Sequence, residues 1–347
     1  MSTAPSFEFL LGRKDIAWMG QNTTHLEPPP EVTQALERST REREFQLYAP
    51  ALGFEELREL IVADLGLTGA DAWITDGAVG GLHHICTALD VSRVLATDPG
   101  WPWPARFAGF SRTPVSTVDV YPGGKAAFAE VIEPNSLIYL IDPLNPLGSR
   151  YDRAELEAIV TLARETGSLI VHDCTYRHFA EGHTLVADLY PEGTFTTYSF
   201  SKWLGLAGLR LGAVVATPGL LSRLTDVPSN PLGANIQAQR AAIAGLKVKG
   251  PWLNRLLATN KRNQDIVKRA VDASGFGSVL VWPSHGNFLA VEVGSKSEEV
   301  CRAMLEHDIF IRPGTYQSPG FGDRFVKIST SVPVEWAERF AVAWAKC

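Results

Sequence analysis

The sequence predicts an α/β fold, with a mostly parallel central sheet in a large domain and a smaller α+β domain beside it. Two observations carry this prediction. From Trp73 onward short apolar runs alternate with helical stretches, and near Pro251 the alternation gives way to one long helical segment. At 347 residues the chain exceeds one typical domain, so a large domain with a smaller appended one is the expected organisation.

The elements follow from turn chemistry and hydrophobic period. After the run Pro28-Pro29-Pro30, residues 31–43 read as a helix with Val32, Ala35 and Leu36 on one face, and residues 54–63 as a second. Strands are expected at 72–74, 93–96, 117–120, 136–141, 168–171, 196–198 and 213–216. Residues 153–166, with Leu156, Ile159, Val160 and Leu162 in helical register, supply one of the crossovers that parallel strands require. Beyond Pro251 the pattern predicts a helix over 252–273, strands at 279–281 and 288–293, and a helix over 298–307. The segment before Tyr48 has no sheet of its own and is expected to pack on the C-terminal unit. The expected domains are therefore 46–250 (large) and 1–45 with 251–347 (small, discontinuous).

Composition narrows the function. A net charge of −6 and 20 % charged residues lack the basic excess that nucleic-acid binding needs, so small-molecule partners are favoured. No apolar run is long enough for a membrane span and the first residues do not read as a signal peptide, which predicts a cytoplasmic protein. Cys86, Cys174, Cys301 and Cys347 show neither CxxC nor Cys/His ligand spacing, so no metal site and no disulfide framework is expected.

Four segments carry chemistry. In Thr197-Tyr198-Ser199-Phe200-Ser201-Lys202, continuing to Arg210, a lysine follows a predicted strand amid small and glycine residues. Desolvation and the nearby cation lower such a lysine's pKa, as an amine nucleophile requires. The buried run Leu169-Ile170-Val171-His172 ends in Asp173, with Tyr176 three residues on, and strand carboxyl ends line the ligand crevice of open α/β sheets. Asp142-Pro143-Leu144-Asn145-Pro146-Leu147-Gly148 is a strand running into a tight turn, where Asn145 is a candidate donor. Ile74-Thr75-Asp76-Gly77-Ala78-Val79-Gly80 is a strand, a glycine turn and a helix opening near Gly80, which suits a phosphate. Its glycine spacing fits neither the dinucleotide nor the P-loop pattern. Taken singly, the lysine reads sooner as a surface residue and the glycine turn as structural, Asn145 as part of a tight reversal, and Asp173 equally well as a helix cap.

Together and in this order, from about Gly20 to Thr330, these segments resemble the fold type I pyridoxal 5'-phosphate (PLP) enzymes of the aminotransferase class I/II family. The resemblance is nearest the branch holding histidinol-phosphate aminotransferases and threonine-phosphate decarboxylases. Asn145-Pro146-Leu147-Gly148 is similar to that family's Asn-Pro-Thr-Gly turn, Asp173-Cys174-Thr175-Tyr176 to its Asp-Glu-x-Tyr, and Ser199 through Arg210 to its lysine signature.

What the resemblance implies is specific. Lys202 would hold PLP as a Schiff base and move protons, and Asp173 would pair with the pyridine nitrogen. Asn145 and Tyr176 would bond the ring oxygen, and Trp101 would stack on the ring. The turn at Gly77, Ala78 and Val79, with Ser199 and Arg210, would hold the phosphate. Tyr48 would reach the phosphate of a neighbouring subunit, which implies a homodimer, and Asn22 would lie on the substrate side. Where the family presents an arginine for the substrate carboxylate, this chain has Lys327. A lysine supplies charge but not the planar fork, so carboxylate binding is shared with or shifted to Arg324 or Arg312.

The function so implied is that of an aminotransferase acting on an amino acid or related amine. The alternative keeps the cofactor and changes the reaction to decarboxylation, β/γ-elimination or replacement, or cyclisation of a modified amino acid. Trp18, Trp103 and Tyr316 are further candidates for the pocket wall.

Overall fold

The computed structural model describes residues 6–121, 127 and 131–346, so Cys347 lies outside the described residues. Its centre is a seven-stranded sheet of β1 (Asp71–Thr75), β2 (Arg93–Asp98), β3 (Val115–Asp119), β4 (Ser136–Ile141), β5 (Leu169–Asp173), β6 (Thr194–Ser199) and β7 (Gly212–Ala216). The spatial order is β1-β7-β6-β5-β4-β2-β3, and only β7 runs against the rest. Residues of β4, β5, β6 and β7 are buried throughout. That explains their continuous apolar or small-residue runs: helices cover both faces of a mostly parallel sheet.

The reversal of β7 decides where the lysine segment lies. In a parallel pair the connection must cross to the far edge of the sheet, whereas β6 and β7 are joined by a return that stays at one edge. Residues 200–211, including Lys202 and Arg210, therefore sit beside the carboxyl ends of β1, β2, β4, β5 and β6.

The remaining strands form an antiparallel sheet, ordered Arg312–Pro313, Phe325–Ser329, Phe288–Glu292, Ser278–Val279. Ala17–Trp18 pairs in parallel with Ile309–Phe310, and Ala17 and Met19 share an apolar cluster with Val267, Leu289, Val326 and Trp344. Residues 17–19 are thus held by the C-terminal unit, whereas the helix Pro30–Arg41 packs on Ile236–Lys247 beside the large sheet.

The helix Lys249–Ser274 links the two sheets. Pro251 sits in its first turn, where no backbone donor is lost. Its buried face begins with Trp252 and Leu256, in the cluster around Trp203, and ends with Val267 and Val271 in the C-terminal cluster. Trp252 Nε1 donates to the Trp203 carbonyl at 2.7 Å, so this helix braces the segment that carries Lys202.

Two differences from expectation have physical reasons. The helix after β1 begins at Gly77 rather than near Gly80, because Gly77 takes φ +74° and turns the chain directly into it. Ile236–Lys247 was not legible as a helix: Ile236, Ala238, Gln239, Ala241, Ala242, Ile243 and Gly245 are all buried, which leaves little of the amphipathic contrast that periodicity reads.

Asn263 is fully buried and donates through Nδ2 to the carbonyls of Thr330 and Val332 at 2.9 and 2.8 Å, pinning the long helix to the strand end beyond Lys327. Replacing it strands two acceptors. Asn263→Ala is expected to destabilise the fold by about 2 kcal/mol, read as a lower urea midpoint; an unchanged midpoint would refute the assignment.

Candidate active site

The carboxyl ends of the parallel strands enclose a cavity of about 220 Å³ lined by Ala78, Val79, Trp101, Asn145, Asp173, Tyr176, Ser199, Lys202 and Arg210, among others. It adjoins a second of about 440 Å³, which shares Trp101, Asn145, Tyr176, Lys202 and Arg210 and adds Asn22, Arg312, Tyr316, Gln317 and Lys327. Residues more than a hundred positions apart in the chain meet here.

At one end is the turn after β1. Asp76 caps the helix Gly77–Ala88 with no side-chain hydrogen bond, so the first-turn N–H groups are left to other partners. Arg210, itself at φ +52°, lies over Gly77, and a Cβ there would stand 2.5 Å from Arg210 Nη2. Gly212, the first residue of β7, lies against the backbone of Gly77 and Ala78, where any side chain would collide. Ser199 and Ser201 are buried beside them and line the same cavity. First-turn amides, a guanidinium and hydroxyls converge here, donors of the kind that bind an anion.

At the other end is Asp173. Its Oδ1 accepts from Thr197 Oγ1 at 2.9 Å and from the Thr175 N–H at 3.1 Å, while Oδ2 accepts from Tyr139 OH at 2.6 Å. A carboxylate offers about four acceptor sites, so this clamp fixes its orientation and leaves one for a donor in the cavity. Thr197 and Tyr139 carry no mark in the sequence that would single them out. The only signal was register: Thr197 is the neighbour of Asp173 across β5 and β6.

Asn22, Asn145 and Tyr176 are all buried and form one network. Asn22 Nδ2 donates to Tyr176 OH at 3.0 Å and to Asn145 Oδ1 at 3.4 Å. The same Asn145 oxygen accepts from Gln317 Nε2 at 2.7 Å and from Lys327 Nζ at 3.2 Å. With its oxygen taken, Asn145 has its Nδ2 to offer to the cavity, and Tyr176, already an acceptor, has its O–H. Burial raises the Tyr176 pKa, which keeps that proton on the oxygen.

Lys202 Nζ donates to the Gln21 carbonyl at 3.1 Å. Its pKa is lowered to about 8 by burial first, then by the cations Arg210 and Arg312. Lys327 is buried, and burial, Arg312 and Lys202 push it well below the usual lysine value. Asp173 is the one carboxylate lining either cavity among the described residues, against Lys202, Arg210, Arg312 and Lys327.

Two expectations are corrected or relocated. Arg324 does not enter the cavity: it is ion-paired with Glu292 on the neighbouring strand and lies 5.5 Å from the Phe321 ring. The cation that does face Lys327 is Arg312, its register partner across the sheet. Tyr48 lines neither cavity and is 78 % exposed in the single chain. Of the other aromatics, Tyr316 lines the cavity, Trp103 donates to its hydroxyl at 2.6 Å, and Trp18 packs on Phe310 instead.

The fold also gathers groups that linear spacing did not connect. Ligand atoms of His172, Cys174 and His183 lie within 4.8 Å of one another. His172 Nδ1 accepts the Val186 N–H at 3.2 Å, and both imidazoles face the buried carboxylate of Asp142, with His183 Nε2 at 3.1 Å. The hydrogen bonds that hold the two rings run to the backbone, from the Val186 N–H to His172 and from His183 Nε2 to the Asp142 carbonyl at 3.0 Å.

Comparison with known proteins identifies the family. The family described as aminotransferase class I and II matches residues 14–343. Histidinol-phosphate aminotransferase 1 of Mesorhizobium japonicum is 28 % identical over 331 residues, covering 92 % of this chain and 87 % of the relative. Aromatic amino acid aminotransferase of Cutibacterium acnes is 28 % identical over 309 residues, covering 85 % of this chain and 84 % of the relative. Among solved structures, Thermus thermophilus aspartate aminotransferase with maleate superposes with TM-score 0.84 at 22 % identity, over 99 % of this chain and 97 % of the other, and has the same fold. From residue 14 to residue 343 the chain is an aminotransferase, a member of the class I and II family.

Proposed function

We propose that this aminotransferase holds PLP between the Gly77 turn and Asp173, covalently on Lys202, and that it acts on an anionic amino acid. The observation that carries the reading is the polarity of the cavity: phosphate donors at one end, a clamped carboxylate at the other and a lysine with a lowered pKa between them. A phosphate, a pyridine N–H and an aldehyde are what those three groups would bind. Asn145 Nδ2 and the Tyr176 O–H are the donors that would meet the ring oxygen, and Trp101, half-buried, supplies a flat wall.

Bound there, PLP supplies an aldehyde that captures amines and a ring that accepts the electron pair released at the substrate carbon. The chain's own residues do the rest. With PLP bound, the Asp173 carboxylate would keep a proton on the ring nitrogen, Lys202 Nζ, freed by the substrate amine, would take and hold the Cα proton, and Arg210 would anchor the phosphate so that this reach stays constant. The guanidinium of Arg312, in a cavity lined by no carboxylate among the described residues, favours an anionic amino acid over a neutral amine.

A homodimer accounts for Tyr48. Phe45, Leu47, Tyr48 and Leu232 are 51–78 % exposed and adjoin one groove, an apolar patch of the kind that marks an interface. Tyr48 would then reach the partner's phosphate seat. Among the described residues no helix is long and apolar enough to cross a membrane. The setting we propose is the cytoplasm, in which the free thiols of Cys86, Cys174 and Cys301 stay reduced.

Purified protein given PLP is expected to acquire visible absorbance that borohydride locks in place and Lys202→Ala abolishes. Addition of a panel of amino acids should then yield pyridoxamine phosphate and an oxo acid. A protein that stays colourless would overturn the cofactor assignment, and release of CO2 or ammonia with the aldehyde form regenerated would overturn transamination. The rate of PLP capture by the apoprotein tracks the neutral fraction of Lys202, whose pKa is lowered to about 8, so it should rise as pH increases through that value and level off above it. A flat profile contradicts the role given to Lys202. Sedimentation should show a dimer, with Tyr48→Phe weakening PLP retention several-fold; a monomer that retains PLP fully would remove Tyr48 from the site.

A further inference from the structure

Lys327 and Arg312 face each other across two antiparallel strands and line the same cavity, an arrangement that normally repels. Their hydrogen bonding differs. Lys327 Nζ donates at 3.2 Å to Asn145 Oδ1, the oxygen that also takes Gln317 Nε2 at 2.7 Å. Arg312 is held differently: its guanidinium stacks on the Tyr316 ring at 4.0 Å and on Phe7 at 5.6 Å, which leaves its N–H edge toward the cavity. One cation is engaged with the amide and the other is presented to a ligand.

We infer that the two tasks are divided in this chain: Lys327 is a positioning residue that, with Gln317, holds the Asn145 amide toward the cofactor seat, and Arg312 receives the anionic group of the substrate. The inference rests on the PLP reading of the cavity. Three donors on Asn145 Oδ1 dictate which way that amide faces, since reversing it would set Nδ2 against Lys327, Gln317 and Asn22 donors. An arginine at 327 could not lose its charge opposite Arg312. A lysine can, and burial together with Arg312 and Lys202 drives it that way. Charged or neutral, its amine donates to Asn145, whereas the Arg312 guanidinium keeps its charge and is the permanent cation an anion finds there.

Gln317 completes the division. It is buried, its Nε2 is committed to Asn145, and its Oε1 has no hydrogen-bond partner among the described residues. That acceptor belongs to a residue lining the cavity beside Arg312. A substrate with a hydrogen-bond donor next to its anionic group would satisfy both.

The test uses PLP-loaded enzyme without substrate. The visible band titrates with pH, and its midpoint reports the donors on the ring oxygen. Lys327→Met and Gln317→Leu are each expected to move that midpoint by about half a pH unit or more, with a less than additive double variant, because both act through Asn145. Arg312→Gln removes a cation that lowers the Lys202 pKa without touching Asn145, so any shift it causes should add in full to that of Gln317→Leu. Succinate, an unreactive dianion, is then titrated against each holoenzyme: Arg312→Gln is expected to weaken its binding about tenfold, and Lys327→Met less than about threefold. An unmoved midpoint in Lys327→Met, or the reverse order of succinate losses, overturns the division, as does absence of succinate binding to the unaltered enzyme. Should Lys327→Met fail to fold, Gln317→Leu and Lys327→Gln carry the spectral arm. A wild-type protein that takes no PLP would instead refute the cofactor reading, so the two failures are distinct.

Discussion

The close approach of β7 to the start of the helix Gly77–Ala88 is the constraint on which the site depends. Gly212 lies in register with both Thr75 and Ser199, so it joins the strand that precedes the phosphate turn to the strand that precedes Lys202. Only a residue without a side chain lets the Gly77 and Ala78 backbone lie there. Because β7 runs against its neighbours, the segment 200–211 returns along the same sheet edge and delivers both Lys202 and Arg210 to one cavity. The long helix behind it, bonded from Trp252 to the Trp203 carbonyl, removes slack from that segment.

Charge is distributed unevenly around this frame. Carboxylates that neutralise other cations of the chain lie elsewhere: Asp64 gathers Arg177 and Lys249, and Glu292 takes Arg324. Among the described residues that line the cavity, Asp173 stands alone against four basic side chains. The resulting field lowers the Lys202 pKa, a change that burial begins and Arg210 and Arg312 reinforce, and it favours anionic ligands. In the proposed function, one electrostatic imbalance would serve both the nucleophilicity of the lysine and the choice of ligand.

Legibility in the sequence depended on how local each signal is. β4 and β5 were readable because a buried strand needs a continuous apolar run, and Arg153–Glu165 because its buried face repeats at helical spacing. Lys202, Asp173, Asn145 and the Gly77 turn each stand at a strand end with turn residues beyond it, a pattern that marks a crevice in an α/β sheet. Thr197 and Tyr139 carry no such mark, since what makes them partners of Asp173 is strand pairing and side-chain direction. Arg324 and Arg312 flank strands in the same way on paper. The ion pair with Glu292 draws one outward, and pairing of Arg312 with Lys327 turns the other in.

The sequence by itself determined the α/β class, the strands that make up most of the sheet and the family resemblance that names the cofactor, because all of these are written in hydrophobic period and in short contiguous motifs. The tertiary structure alone decided the antiparallel course of β7, the clamp on Asp173, the three donors on Asn145 and the choice of Arg312 over Arg324. Those depend on strand order, register and which groups lose water together. Such relations join residues far apart in the chain, and no local pattern encodes them.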